Sequence, residues 1–229
     1  MTEGAKRSYR YERKFLVNGM NHHQAIALIK RHPYLFHQPY PPRYINNFYL
    51  DSAEMDNYYD NVSGAGSRRK VRLRWYGNLF GEIRQSTLEI KIKQGPVGTK
   101  RLYPFSGFTL VKGYNAQALQ SLAREIELPP EVKRMVLAQQ IVLLNSYYRY
   151  YFATRDNRFR LTVDTDLCFY RVARFRNQFA HCQSDYRNII VELKYDKEND
   201  LEAHRVSSYF PFRVTKSSKY VQGIDRVWF

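Results

Sequence analysis

Along residues 70–75, Lys70, Arg72 and Arg74 alternate with Val71, Leu73 and Trp75. Successive side chains of an extended strand point to opposite faces, so the stretch predicts a strand with one cationic and one apolar face. The same period of two returns along the chain. In LEIKIK, Glu89, Lys91 and Lys93 oppose Leu88, Ile90 and Ile92. In RFRLTVD, Arg158, Arg160, Thr162 and Asp164 oppose Phe159, Leu161 and Val163; in IVELKYD, Glu192, Lys194 and Asp196 oppose Val191, Leu193 and Tyr195. Near the start, Glu12 and Lys14 alternate less cleanly with Tyr11 and Phe15.

These patterns predict strands at about 9–17, 43–51, 68–76, 86–94, 99–105, 146–154, 158–167 and 188–196. Helical spacing predicts helices at about 22–31, 53–62, 115–126, 131–140 and 199–208, the first opened by an Asn21/Gln24 capping box. A polar loop containing TKSSKY is expected to finish the chain. Strands dominate, and the helices do not alternate with them strictly. The reading is therefore an α+β fold, a mostly antiparallel sheet carrying peripheral helices. No repeat, low-complexity tract or linker divides the sequence, so residues 1–229 are read as one domain.

Composition changes this picture in one respect. Of 229 residues 44% are hydrophobic, which supplies a core, but 37 Lys and Arg against 21 Asp and Glu leave a net charge of +16 spread along the chain. Such an excess costs self-repulsion and points to a polyanionic partner: nucleic acid, acidic membrane, or phosphate-rich molecules. No segment has the apolar length of a membrane span, and MTEGAKRSYR lacks the apolar stretch of a secretory signal. The expectation is a soluble, cytoplasmic protein, with a membrane partner possible. Cys168 and Cys182 lack metal-site spacing, and their pairing is left open.

Periodicity does not say where the charged faces point. A solvated face is the ordinary arrangement for an antiparallel sheet. Against it, the polar positions are charged and biased to cations, which repel unless an anion sits among them. The amphipathic helices also need an apolar surface to cover. The outside of a closed barrel of about eight strands would provide one, with the charged faces lining the interior. Lys and Arg there would hold a phosphate chain, while glutamates among them would either pair with lysines or hold a divalent metal.

The segments YERKFLV, NNFYLDS, RRKVRLRWYG, LEIKIK, YYRYYF, RFRLTVDTDL, IVELKYD and SKY occur in the order found in the VTC-type polyphosphate polymerase domain. The chain resembles that family from about residue 8 to 226, within the triphosphate tunnel metalloenzyme (CYTH-like) superfamily. The resemblance implies a tunnel-shaped β-barrel with helices outside, and transfer of the ATP γ-phosphate onto polyphosphate with Mn²⁺ or Mg²⁺. It implies phosphate binding by Lys14, Arg72, Arg74, Lys91, Lys100 (or its neighbour Arg101), Arg149, Arg160 and Lys219. Of these, Arg72, Arg74, Lys91 and Arg160 are the catalytic candidates. Glu192, helped by Glu89, is the implied metal ligand. The superfamily's opening ExExK pattern is incomplete, with Arg10 standing in the first glutamate position before Glu12 and Lys14.

Lys93, Lys194 and Arg158 lie toward strand ends and are read as solvated. Two other functions remain open. One is hydrolysis of inorganic or nucleoside triphosphate by the same positions; the other is non-catalytic binding of polyphosphate or another polyanion. Expected partners are ATP, inorganic triphosphate or polyphosphate, with no nucleic acid, because no nucleic-acid motif is present.

Overall fold

The alternating segments form strands in the computed structural model of the chain, which describes residues 10–94 and 97–229. In chain order the elements are β1 (Arg10–Val17), α1 (His22–Lys30), β2 (Arg43–Asp51), α2 (Asp56–Ser63), β3 (Ser67–Tyr76), β4 (Gly81–Ile83), β5 (Ser86–Gln94), β6 (Val97–Phe105) and β7 (Phe108–Leu110). There follow α3 (Gln117–Glu125), α4 (Pro130–Leu137), β8 (Gln140–Ala153), β9 (Phe159–Arg171), β10 (Gln183–Asp185), β11 (Ile189–Asp196), α5 (Asp200–Ser208) and α6 (Lys219–Val227). The predicted strand start at residue 9 lies outside the described residues. The α+β class with antiparallel pairing is as expected.

The chain divides into two compact units, and the long strands β8 and β9 contribute to both. The first comprises residues 1–42, 149–165 and 186–217. Its strand order is β1-β11-β9-β8, with Lys14 opposite Glu192 and Glu192 opposite Thr162. On the other face Phe15, Leu161, Val163, Val191 and Leu193 are buried under Ala25 and Ile29 of α1 and Ala203 and Val206 of α5. The Asn21/Gln24 capping box is formed and starts α1.

The second unit comprises residues 43–148, 166–185 and 218–229. Its strands run β9-β8-β2-β3-β5-β6, with a separate β4–β7 pair and β10 beside β9. The register sets Tyr49 opposite Arg72 and Arg72 opposite Glu89; one pair further along, Asn47 faces Arg74. Phe48, Leu73, Leu88 and Ile90 point the other way and pack with Leu119 and Ala123 of α3 and Val132 and Val136 of α4. Each large apolar side chain buried this way is worth about 1.5–3 kcal/mol. A one-residue slip of β3 would place Arg72 and Arg74 under those helices, so hydrophobic burial fixes which way the cations face.

Three expectations need correction. The segment after TKSSKY is not a loop: Lys219 opens α6, whose Ser218 N-cap accepts from the Val221 N–H. The helix expected to reach 140 ends at Leu137, and β8 begins at Gln140 rather than near 146, because Ile141, Val142, Leu143 and Leu144 are fully buried strand residues. A continuous apolar run of that kind has no period by which to recognise it. Cys168 and Cys182, left open by the sequence, form a disulfide with Cα atoms 5.7 Å apart.

Candidate functional site

In the second unit, three cations of the β3-β5-β6 polar face meet on one carboxylate. Glu89, 5% exposed, receives Arg72 through Nε at 2.6 Å and Nη2 at 2.5 Å, both on Oε2. Arg74 Nη1 lies 3.4 Å from Oε1, and Lys100 Nζ donates to Oε1 at 2.9 Å. Burial alone would raise the Glu89 pKa, but Arg72, Arg74 and Lys100 override it and hold the carboxyl at about 2. It is therefore ionised at neutral pH. Arg74 is further fixed by Asn47 Oδ1, which accepts from Nε at 2.9 Å, and by the Tyr147 hydroxyl 3.3 Å from Nη2. Asn47 in turn donates to Asn145 Oδ1 at 3.2 Å. The result is a pair of guanidinium groups on β3 held on Glu89 of β5, with the Lys100 ammonium of β6 on the same carboxylate.

The first unit builds a similar group around Glu192, which is 6% exposed. Lys14 Nζ lies 3.4 Å from Glu192 Oε1 and 3.2 Å from Glu12 Oε1, and donates to the Ser217 carbonyl at 3.0 Å. Burial opposes the Lys14 charge, yet Glu192 and Glu12 lift its pKa above the ordinary lysine range. Lys194 Nζ sits 3.2 Å from Glu192 Oε2, so the solvated role expected of it does not hold. Arg149 turns its fork on Asp164, with Nε to Oδ1 at 2.5 Å and Nη2 to Oδ2 at 2.7 Å, and lies 3.8 Å from Glu192. Arg158, as expected, sits outside this group, paired with Asp156 and Glu202.

The remaining candidates are placed less tightly. Lys91 is exposed on the Glu89 side of β5, between Lys70 and Lys100 in register. Lys219 is buried at the first turn of α6, with Nζ 4.8 Å from the centre of the Tyr147 ring. Arg160 is exposed opposite Lys194, and among the described residues no ion pair holds it. Sequence reasoning passed over Asn47, Tyr147 and Asp164 as site residues. The first two lie in stretches dominated by apolar and aromatic residues, and Asp164 was read only as part of a polar face.

Among the described residues no group of three or more His, Cys, Asp or Glu side chains converges as a metal cage. Mg²⁺ and similar ions are commonly held by one or two carboxylates together with waters and substrate phosphates. The Glu192 neighbourhood suits that mode. Glu192 and Glu12 share Lys14, and the buried hydroxyls of Thr162, Thr215 and Ser217 have no hydrogen-bond partner among the described residues. Both oxygens of Glu89 already meet cations, as do those of Glu192, with Lys14 on Oε1 and Lys194 on Oε2; what favours the Glu192 group is its second carboxylate, Glu12, together with those hydroxyls.

The fold recurs in solved structures. One, from Vibrio parahaemolyticus and described as a "putative adenylate cyclase", superposes with a TM-score of 0.53 at 11% identity, covering 94% of this chain and 98% of that one. A Pyrococcus horikoshii protein gives 0.51 at 11% identity, covering 95% and 99%. At that identity the likeness concerns the fold alone. No curated protein sequence matches the chain. The family is fixed by sequence: residues 9–228 match the VTC domain, and the chain belongs to the VTC domain family.

Proposed function

We propose that this VTC domain is a metal-assisted phosphotransferase that moves the γ-phosphate of ATP onto a polyphosphate chain. The observation that carries the reading is the convergence of Arg72, Arg74 and Lys100 on buried, ionised Glu89. The Arg74 guanidinium, held by Asn47 and Tyr147, and the Arg72 guanidinium, held on Glu89, are suited to phosphate oxygens, which such forks grip bidentately. Their rigidity matters because phosphoryl transfer asks little covalent chemistry of the protein. Positioning and stabilisation of the charge on the transferring group account for most of the catalysis.

In this reading Arg72, Arg74, Lys91 and Lys100, with Lys219, bind phosphate oxygens in the second unit, and Lys14, Arg149 and Arg160 do so in the first. Glu89 holds the arginine forks in place, a positioning role. Glu192, with Glu12, would hold Mn²⁺ or Mg²⁺, which when bound would supply positive charge to offset that of the phosphates. No protein nucleophile is needed, because the acceptor is itself a phosphate terminus.

The test is to incubate the protein with ATP and Mn²⁺ and resolve the products by electrophoresis. A ladder of polyphosphate is expected, and Glu192→Gln should abolish it while retaining most affinity for inorganic triphosphate. Orthophosphate alone would make the protein a hydrolase of the same fold, and an unchanged Glu192→Gln would remove the metal role.

A further inference from the structure

The sheet face that carries Arg74 also holds two asparagines. Asn47 of β2 and Asn145 of β8 are both 0% exposed, and the sheet runs β9-β8-β2-β3 through them. Their hydrogen bonds form one line across these four strands. Arg74 Nε donates to Asn47 Oδ1 at 2.9 Å, Asn47 Nδ2 donates to Asn145 Oδ1 at 3.2 Å, and Asn145 Nδ2 donates to the Cys168 carbonyl at 3.3 Å. The two ends fix its direction. A guanidinium can only donate and a carbonyl can only accept, so each amide must turn its oxygen toward β3 and its nitrogen toward β9. The line ends on the backbone of a residue that a disulfide ties to Cys182.

We propose that Asn145 is a positioning residue for phosphate binding, which acts through Asn47 on the Arg74 guanidinium two strands away. A guanidinium has five N–H donors. In Arg74 the Nε–H goes to Asn47, one on Nη1 to Glu89 and one on Nη2 to Tyr147. That leaves one donor on each terminal nitrogen for phosphate oxygens. The contacts to Tyr147 and Glu89 are long, at 3.3 and 3.4 Å, so the 2.9 Å bond to Asn47 is the firmest of the three and sets the plane of the group. Asn145 matters because Asn47 is fully buried. Without the Asn145 oxygen the Asn47 N–H is buried with no acceptor, and the amide turns to regain one, which releases Arg74. A carboxylate at position 47 has no N–H to satisfy and holds Arg74 with or without Asn145. The inference rests on the phosphotransferase reading and adds to it a residue that never touches the substrate.

Calorimetric titration of inorganic triphosphate, without divalent metal so that no turnover intervenes, tests it on the wild type, Asn145→Leu, Asn47→Asp and the double variant, which together form a double-mutant cycle. Asn145→Leu is expected to weaken binding roughly ten-fold in the wild-type background, the low end of what a hydrogen bond to a charged group supplies, and to change it little in the Asn47→Asp background. A merely structural role for Asn145 would lose the same factor in both. Equal losses, or no loss in either, overturn the relay and leave the phosphotransferase reading standing. A wild type that does not bind triphosphate removes both. If Asn145→Leu does not fold, side-chain NMR of the wild type decides: the amide protons of Asn47 and Asn145 and the Nε–H of Arg74 are expected to exchange slowly with solvent, and fast exchange of any of them overturns the relay.

Discussion

A carboxylate held by three cations resists protonation, and for Glu89 the consequence can be measured. Its pKa falls from 4.5 to about 2 on folding, since Arg72, Arg74 and Lys100 outweigh burial. The stability it contributes is therefore complete above about pH 4.5 and drains away as the pH falls toward 2. Glu89→Gln leaves two largely buried guanidinium groups without their anion and should cost about 3 kcal/mol at pH 7, by urea unfolding. The gap to wild type should narrow steadily below pH 4.5; a gap independent of pH would mean that the pairing contributes nothing. Arg72, Arg74 and Glu89 were legible in the sequence because a strict period of two places them on one face. That Glu89 orients the arginines was not legible, because it depends on which strands become neighbours. The same holds for Asp164, which takes up the fork of Arg149 from the adjacent strand.

At the scale of elements, the central strands were read from their alternation, and α6 was missed. Its sequence, KYVQGIDRV, holds two valines, an isoleucine, a tyrosine and a glycine, all weak helix formers. Packing decides the matter. A Cβ on Gly223 would come within 2.5 Å of a Leu143 methyl and 2.7 Å of the Phe169 ring, both fully buried. The glycine that weakens the helix lets it approach the sheet and bring Lys219 over Tyr147. The next residue, Tyr220, anchors the helix by donating its hydroxyl to Asp51, whose carboxylate also accepts from the Asn57 and Tyr58 N–H groups at the start of α2. Helix propensity alone predicts that Gly223→Ala stabilises by about 1 kcal/mol. The packing argument predicts a loss of about 1–3 kcal/mol, with weakened triphosphate binding as Lys219 is displaced. Thermal denaturation gives the sign directly.

For the molecule as a whole, the net charge of +16 pointed to an anionic partner without saying which. Long-range attraction from such a charge acts on any polyanion and fades with salt. On the proposed reading the group around Glu89 is more selective, because it offers Arg72 and Arg74 held in place rather than a diffuse basic surface. The most direct measurement is thermal unfolding at physiological salt with inorganic triphosphate, set beside an oligonucleotide of equal charge, for wild type and the Arg72→Gln, Arg74→Gln double variant. A ligand that binds only the folded protein raises its melting temperature. The account predicts a clear rise with triphosphate for the wild type, most of it lost in the variant, and a smaller rise with the oligonucleotide. Equal rises with both ligands, or a triphosphate effect unchanged in the variant, would contradict it.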